Sequence, residues 1–305
     1  MAKPISVTVK VPATTANLGP GFDCLGLAVD LWNEIEFKIT GSSLQIEIEG
    51  EGSETLSRNH NNLVYRAMQA LAKSASIDLP KDIQIRCKNE IPVSSGLGSS
   101  SAAVIAGLLG AKHLFNIMIG DLNLLKLALT FEGHADNISA CLLGGLTIAV
   151  QSDGELIVEK QAIPTLKAII ALPDIVLSTH QARQLLPKNI PFKAGIFNIG
   201  RTALLISALI NADYKYLGIA MQDQIHQTCR LNRIPGAKKA ISDAMSNGAI
   251  GVALSGAGPS VIAFYENCGE SNISKALENA FAIEAVPVRL FTTRTTNQPA
   301  FIIKK

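Results

Sequence analysis

The sequence predicts an α+β fold in two domains, and three features carry that prediction. Several runs alternate apolar and polar residues, as residues 83–88 do, and this period is typical of half-buried strands. Other runs repeat apolar residues every three or four positions, as residues 62–73 do, which is typical of amphipathic helices. The chain has 305 residues, more than one hydrophobic core usually organises. We therefore expect domains at 1–165 and 166–305.

The predicted elements run in order through both domains. In the first domain the alternating pattern predicts strands at 5–11, 33–39, 44–49, 83–88 and 145–150, and apolar periodicity predicts helices at 62–73, 103–115 and 121–131. In the second domain the same patterns predict strands at 166–172, 249–255, 260–265 and 285–292, and helices at 179–186, 194–211, 214–228 and 236–247. Residues 151–165 are predicted to connect the two domains.

Composition and charge narrow the class of protein. Hydrophobic residues make up 48% of the chain and charged residues only 17%, which is ample for a packed interior. The net charge of +2 and the absence of a dense Lys/Arg run argue against nucleic acid as a partner. No apolar stretch is expected to reach the length of a membrane helix, and the N-terminus resembles a strand more than a secretion signal. The chain is therefore expected to be cytoplasmic and to have no membrane partner.

The cysteines support the same compartment. They are odd in number, scattered, and without a Cys-x-x-Cys pair: Cys24, Cys87, Cys141, Cys229 and Cys268. This usage favours reduced thiols in a cytosol over a disulfide framework or a zinc site.

The most informative segment lies between the strand at 83–88 and the helix at 103–115. Residues 91–103 read Ile-Pro-Val-Ser-Ser-Gly-Leu-Gly-Ser-Ser-Ser-Ala-Ala. Backbone N–H groups at a helix start lack partners, and the helix dipole adds about half a positive charge there. Gly96 and Gly98 would let the backbone approach an anion closely, and the serines supply hydroxyls. The segment therefore predicts a cradle for nucleotide phosphates.

This loop lacks the Gly-Lys-Ser/Thr ending of a P-loop and the Gly-x-Gly-x-x-Gly of a dinucleotide fold. It resembles the Pro-x-x-x-Gly-Leu-Gly-Ser-Ser-Ala loop of the GHMP kinases. Within that family, the homoserine kinases have segments similar to Val-Pro-Ala-Thr-Thr-Ala-Asn-Leu-Gly-Pro-Gly-Phe-Asp at 11–23 and Glu-Gly-His-Ala-Asp-Asn at 132–137. The glycine turn at 254–261 resembles the third GHMP motif. These segments follow the family's order and span residues 11–261.

The resemblance implies the GHMP kinase fold, with a left-handed βαβ crossover in the ATP-binding N-terminal domain and a ferredoxin-like α/β sandwich in the C-terminal domain. It also implies ATP-dependent phosphorylation of the side-chain hydroxyl of L-homoserine, a step of threonine biosynthesis, with Mg²⁺ as cofactor. The implied nucleotide-binding residues are Asn62, Pro92, Ser94, Ser95, Gly96, Leu97, Gly98, Ser99, Ser100 and Ser101. Asn62 fits the adenine edge and a helix N-cap equally well. Glu132 and Ser100 are the implied Mg²⁺ ligands, with Ser99 as the alternative hydroxyl.

The predicted acceptor site must bind both the ammonium and the carboxylate of a free amino acid. Asp23, beside Asn17, is expected to hold the ammonium, and the planar forks of Arg183 and Arg230 suit a carboxylate. By resemblance His134 and Asn137 lie near the substrate hydroxyl, and Gly258 lies in the turn that closes over the site. The other histidines, His226 among them, are expected to be structural.

The catalytic residues expected from the resemblance are Asn137, Glu132 and Ser100. We expect Asn137 to orient the hydroxyl and Asp136 to be structural or electrostatic, because a loose phosphoryl-transfer transition state needs little prior deprotonation. Two alternatives stay open: a GHMP kinase acting on mevalonate or shikimate, and a non-catalytic sensor with the same fold. The resemblance also leaves a homodimer open.

Overall fold

The computed structural model describes residues 6–41, 43–266 and 269–303. The strands are β1 Ser6–Asn17, β2 Gly21–Ile39, β3 Gln45–Gly50, β4 Ile83–Asn89, β5 Leu146–Ser152, β6 Glu155–Gln161, β7 Lys167–Pro173, β8 Gly251–Leu254, β9 Val261–Tyr265, β10 Val288–Arg294 and β11 Phe301–Ile303. The helices are α1 Leu63–Ser74, α2 Ser99–Leu114, α3 Asp121–Glu132, α4 Asp136–Leu143, α5 Thr179–Gln184, α6 Phe192–Asn211, α7 Leu217–Ala220, α8 Gln227–Leu231, α9 Ala237–Ser246 and α10 Glu270–Ala282.

The first sheet contains β1 to β6 and, from the C-terminal end of the chain, β11, in the order β11-β1-β2-β4-β3. β5 pairs with the first half of β2, and β6 pairs with β5. β3 and β4 are parallel neighbours joined through α1, so they form the βαβ unit of this half. Helices α1 and α2 pack on each other, and α2 and α4 pack on β1. Phe37 of β2 and Met68 of α1 are fully buried in this core. The sheet therefore provides a rigid base from which the loop between β4 and α2 projects.

The second sheet has the order β10-β7-β9-β8 with antiparallel pairs throughout. Numbered within this half, the order is 4-1-3-2, with helices between the first and second strands and between the third and fourth. That arrangement is a ferredoxin-like sandwich, as expected. Helices α9 and α10 contact each other and the sheet, and Phe281, Leu277 and Ile273 fill the core beneath them. The turn between β8 and β9 points back to the first sheet.

Several element predictions need correction. The expected connection at 151–165 contains β6, which pairs with β5 over its whole length. The helix predicted at 214–228 is broken into a 3₁₀ turn at Tyr214–Tyr216, α7 and α8, with a non-helical stretch between the last two. Helices α4 and α10 and strand β11 were not predicted, and the start of the first strand at Ile5 lies outside the described residues. The domain boundary near residue 165 stays a prediction.

Helix α6 contradicts the expectation that no apolar stretch reaches the length of a membrane helix. Among the described residues it is the one helix long and apolar enough to cross a membrane by length and composition alone, with a mean hydropathy of 1.3. Leu205 and Leu209 are buried in the first core, and Asn198 is buried and donates to Asp223. The Thr202 hydroxyl donates to the carbonyl of Pro20. These contacts pack one face of α6 against the rest of the protein, whereas Phe192, Ile196 and Ile199 on the helix are exposed.

Candidate active site

A cavity of about 570 Å³ lies where the two halves of the chain meet. It is lined by the end of β1 and the start of β2, the segment before α1, the loop between β4 and α2, the junction of α3 and α4, helices α5 and α8, and the turn between β8 and β9. Its walls include most residues singled out by the sequence: Asn17, Asp23, Asn62, Ser94, Ser95, Gly96, Gly98, Ser99, Ser100, Ser101, Glu132, His134, Asp136, Asn137, Arg183, Arg230 and Gly258.

The glycine-serine loop is held in shape by its own hydrogen bonds. The Ser95 hydroxyl donates to the Pro92 carbonyl at 2.7 Å and accepts from the Leu97 amide at 3.3 Å. Gly98 is the N-cap of α2 in a left-handed conformation, and in the described part of the chain no side chain caps this helix start. The first amides of α2 therefore remain available to an anion beside the cavity.

The turn between β8 and β9 packs directly on this loop. A Cβ on Gly96 would lie 2.3 Å from the Ser255 carbonyl oxygen, so only glycine permits this approach. The Ser255 hydroxyl donates to the Gly96 carbonyl at 2.7 Å, and the Ser260 amide donates to the Ser95 carbonyl at 3.3 Å. The glycine-serine loop of one half is thus fixed against the turn between β8 and β9 of the other, which contains Gly258.

Glu132 faces the start of α2. Its Oε2 atom accepts a hydrogen bond from the Ser100 hydroxyl and another from the Ser101 hydroxyl, each at 3.0 Å. These are the hard oxygen donors that Mg²⁺ prefers, placed beside the phosphate cradle. The described residues contain no group of three or more His, Cys, Asp and Glu that could hold a metal ion. Ser101 is as close to Glu132 as Ser100 is, whereas Ser99 has no such contact.

Asp136 and Asn137 begin α4 at the cavity wall. The Asp136 carboxylate is buried and accepts a hydrogen bond from the backbone amide of Asn137 at 2.7 Å. Burial raises the pKa of this carboxyl from 3.8 to about 6; the Asn137 hydrogen bond opposes that rise, and the nearby charge of Asp23 adds to it. The Asn137 side-chain oxygen accepts from the Thr14 hydroxyl at 2.7 Å, which fixes the amide plane. Thr14 was not predicted as a site residue, although it lies within the first motif.

Asp23 and Arg183 form a salt bridge at 2.6 Å, with each side chain about one third exposed. Asp23 has a positive φ of 58°, and its amide donates to the Asn17 side-chain oxygen at 3.0 Å. The Asn17 amide group donates to the Gly256 carbonyl at 2.7 Å, which ties the first turn to the turn after β8. A zwitterionic amino acid presents one anion and one cation, complementary to this pair.

Arg230 approaches the same cavity from α8 and is 1% exposed, the largest fully buried side chain described. Burial, and to a lesser degree the charge of Arg183, lowers its pKa to about 10, so the guanidinium stays charged at neutral pH. His134, half-buried, faces these charges. Burial lowers the pKa of His134, the charge of Asp23 raises it, and both arginines lower it further.

Three predicted nucleotide residues have mainly structural contacts. Leu97 is fully buried in the first core and Pro92 is buried behind the loop; neither lines the cavity. Asn62 is the N-cap of α1: its oxygen accepts from the Val64 amide at 3.0 Å and its nitrogen donates to the Ser57 carbonyl at 2.7 Å. The N-cap alternative is therefore observed, and a role of Asn62 toward adenine stays a prediction.

Other residues that line the cavity were not predicted, because no local sequence pattern indicates that they bind a ligand. Leu56 and Val93 form an apolar part of the cavity near the Asn62 end, and Ser178 and Thr179 lie at the start of α5 near Arg183. Ser178 is a helix N-cap in a capping box with Gln181, a signal for a helix start and not for a binding site.

Two family models match the chain. The model of the GHMP kinases N terminal domain matches residues 62–145, and the model of the GHMP kinases C terminal domain matches residues 205–283. Among curated relatives, the homoserine kinase of Carboxydothermus hydrogenoformans is 37% identical over 96% of this chain and 96% of its own length. The homoserine kinase of Moorella thermoacetica is 39% identical over 97% of this chain and 99% of its own length.

Solved structures give the same picture of the fold. The homoserine kinase of Cytophaga hutchinsonii superposes with a TM-score of 0.88 at 29% identity and covers 99% of both chains. The mevalonate kinase of Methanococcus jannaschii superposes with a TM-score of 0.70 at 17% identity over 94% of this chain and 98% of its own, which shows a shared fold alone.

Proposed function

The chain belongs to the homoserine kinases of the GHMP kinase family, and from that premise we propose that it transfers the terminal phosphoryl group of ATP to the side-chain hydroxyl of L-homoserine. The observation that carries the proposal is the meeting of two sites in one cavity. A glycine-rich helix start beside Glu132 suits a polyphosphate, and Asp23 with Arg183 and Arg230 suits a free amino acid.

The nucleotide would lie along the loop between β4 and α2. The uncapped amides of α2 donate to the phosphates, and the hydroxyls of Ser99 and Ser100 lie at the same edge. The apolar residues Leu56 and Val93 support binding of the base at the Asn62 end. Because the turn after β8 packs on Gly96, the cradle keeps its shape before ATP arrives, which lowers the cost of ordering it.

Mg²⁺ would be held by Glu132 with Ser100 or Ser101, since these oxygens already converge. When bound, the ion neutralises charge on the phosphates and on the transferred group. Glu132 lies at the C-terminal end of α3, next to the left-handed Gly133 that ends the helix. The chain's own contribution is to fix the carboxylate opposite the first turn of α2.

The acceptor would be held by its two charges. Asp23 accepts from the ammonium, Arg183 and Arg230 donate to the carboxylate, and the chain of the amino acid then extends toward Asn137 and His134. Mevalonate and shikimate carry a carboxylate without an ammonium, so Asp23 would keep Arg183 as its partner but would have no ammonium to bind. This mismatch favours homoserine over those acceptors.

Orientation of the hydroxyl, and not its prior deprotonation, is the proposed role of the α4 residues. The Asn137 side-chain amide is held at both ends: its oxygen accepts from the Thr14 hydroxyl at 2.7 Å, and its Nδ2 group lies 3.4 Å from the Asp136 carboxylate. Asp136 is buried, and one of its carboxylate oxygens accepts from the backbone amide of Asn137, which supports a structural or electrostatic role. Positioning can supply much of the rate when the transition state is loose.

We also propose that the protein works in the cytoplasm, with domains at 1–165 and 166–305. The supporting observation for the compartment is that the four cysteines within the described residues, Cys24, Cys87, Cys141 and Cys229, are free thiols. Burial raises the pKa of the Cys24 thiol to about 11, which supports a packing role for this cysteine directly after the segment at 11–23.

The test is ADP release from Mg-ATP with L-homoserine, mevalonate and shikimate offered separately. Turnover on L-homoserine that stops when EDTA removes the divalent ion supports the proposal. Turnover on mevalonate or shikimate alone would retain the phosphate cradle and refute the assignment of Asp23. No turnover on any acceptor would favour the non-catalytic sensor.

A further inference from the structure

The buried imidazole of His226 connects the two sides of the acceptor site. Its Nε2 atom lies 2.7 Å from the carbonyl oxygen of Gly19, in the turn that leads to Asp23. Its Nδ1 atom lies 3.0 Å from Nη1 of Arg230. The side chain is fully buried, so water does not compete for either contact.

The two contacts require one tautomer of the imidazole. A carbonyl oxygen only accepts hydrogen bonds, so Nε2 must carry the proton that it donates to Gly19. A guanidinium only donates, so Nδ1 must keep its lone pair and accept from Arg230. Burial lowers the pKa of His226; the charge of Asp223 opposes this and the charge of Arg230 adds to it. The neutral Nε2–H form therefore satisfies both neighbours.

Phe22 and Asp223 hold the ring and the backbone of His226. Phe22 stacks on the ring with centroids 4.8 Å apart and an interplanar angle of 22°. The buried Asp223 carboxylate accepts from the amide of His226 at 2.8 Å and from that of Gln227 at 2.6 Å, which fixes the start of α8. Neither the ring nor its backbone is free to move without breaking these contacts.

Arg230 depends on this ring more than on its other partners. Its remaining hydrogen bonds go to the carbonyls of Gly256 at 3.3 Å and Ala182 at 3.5 Å, both longer than the bond to His226. Phe22 adds a cation–π contact at 5.2 Å from the ring centroid. The imidazole is thus the closest anchor of a guanidinium that faces the cavity.

We propose that His226 is a positioning residue that holds the Arg230 guanidinium and the Gly19–Asp23 turn at a fixed separation, so that the carboxylate and the ammonium of the acceptor are bound together. This inference rests on the proposed function. His226 touches neither reacting atom in this account; it acts through Arg230 and through the turn.

Two substitutions of His226 each remove one of its two side-chain hydrogen bonds and keep the other. In His226→Gln the amide nitrogen reaches the Nε2 position and keeps the bond to Gly19, but Arg230 loses its acceptor. In His226→Asn the amide oxygen replaces Nδ1 and keeps the bond to Arg230, but the bond to Gly19 is lost. We expect His226→Gln to raise the KM for L-homoserine about tenfold, equivalent to about 1.4 kcal/mol. The KM for ATP and kcat should stay within about twofold. His226→Asn should also raise the KM for L-homoserine, but only about threefold, because the turn keeps its second tether from the Asn17 side-chain amide to the Gly256 carbonyl.

A merely structural role predicts a different result, because each variant removes one bond from a buried group. Both would then lower Tm and disturb the KM values of both substrates together. A homoserine KM that is unchanged in both variants, or an ATP KM that rises in parallel, would overturn the inference. His180→Gln, at an exposed histidine of α5, is the matched control and should leave all constants unchanged.

A measurement on the unsubstituted protein covers the case in which neither variant folds. Long-range ¹H–¹⁵N correlation spectra report which imidazole nitrogen carries the proton. We expect His226 to show a protonated Nε2 and an unprotonated Nδ1 at neutral pH; the opposite tautomer or a charged ring would overturn the inference. Absence of turnover on L-homoserine by the unsubstituted enzyme would instead refute the proposed function.

Discussion

Replacing Asp136 with Asn tests whether the buried carboxylate is a catalytic base or a charge tolerated beside the site. Asp136 is 4% exposed, and burial raises its pKa from 3.8 to about 6. Folding therefore favours the protonated form, and the stability this form contributes is fully present below pH 3.8 and is lost as the pH rises through about 6. A difference of about two pKa units corresponds to about 3 kcal/mol in the free energy of unfolding.

The amide side chain introduced by Asp136→Asn cannot ionise and still offers an oxygen to the Asn137 amide. Any constant cost of its buried NH₂ group is the same at every pH, so the informative quantity is the change with pH. We expect the stability of Asp136→Asn relative to the unsubstituted protein to grow by about 2 to 3 kcal/mol between pH 4 and pH 7.5. Urea unfolding, followed by the fluorescence of the single tryptophan, Trp32, measures this difference.

Asp78→Asn, at an exposed carboxylate, is the matched control and should show no such pH dependence. The same Asp136→Asn protein should retain kcat within about 10²-fold, because a general base contributes about that much or more. A stability difference that does not change with pH would refute the argument from burial. A loss of more than 10²-fold in kcat with unchanged structure would assign Asp136 as the base.

Three further changes test the remaining parts of the site. Glu132→Gln should lower kcat about 10²-fold and raise the Mg²⁺ concentration needed for half-maximal rate; an unchanged Mg²⁺ titration would contradict the assignment of the carboxylate. Gly98→Ala places a Cβ 2.0 Å from the Thr14 hydroxyl at a φ of +68°, so the KM for ATP should rise about tenfold or more while far-UV circular dichroism stays unchanged. Asp23→Asn removes the charge that faces the ammonium and should raise the KM for L-homoserine about tenfold or more without changing that for ATP; equal effects on both substrates would argue against the role.

Most residues that line the cavity could be predicted from the sequence, because they belong to short motifs of adjacent residues. The loop at 91–103, Glu132 with its neighbours and the first motif all converge at one cavity, and each is defined by adjacent residues. Arg183 and Arg230 were placed in the site by resemblance, and both line the cavity. The equal reach of Ser101 to Glu132 could not be anticipated, because it depends on how α2 is rotated against α3.

Tertiary contacts decide the parts that local patterns do not. Residues 214–228 have helical periodicity, yet the helix breaks where Asp223 caps the start of α8 and His226 reaches across to Gly19. Gly19 lies 207 positions away from His226 in the chain, so no local pattern reports this contact. His226 was expected to be an ordinary structural histidine for the same reason. Strand β6 is short, half-polar and paired only with β5, and it was predicted as a connection.

The most direct test of the central claim is to identify the product formed from Mg-ATP and L-homoserine by ³¹P NMR and mass spectrometry. We expect equimolar ADP and a homoserine phosphate ester whose phosphorus couples to the side-chain methylene protons. An acyl phosphate on the carboxylate would contradict the orientation set by Arg183, Arg230 and Asn137. ADP without any phosphorylated amino acid would contradict the assignment of homoserine as the acceptor.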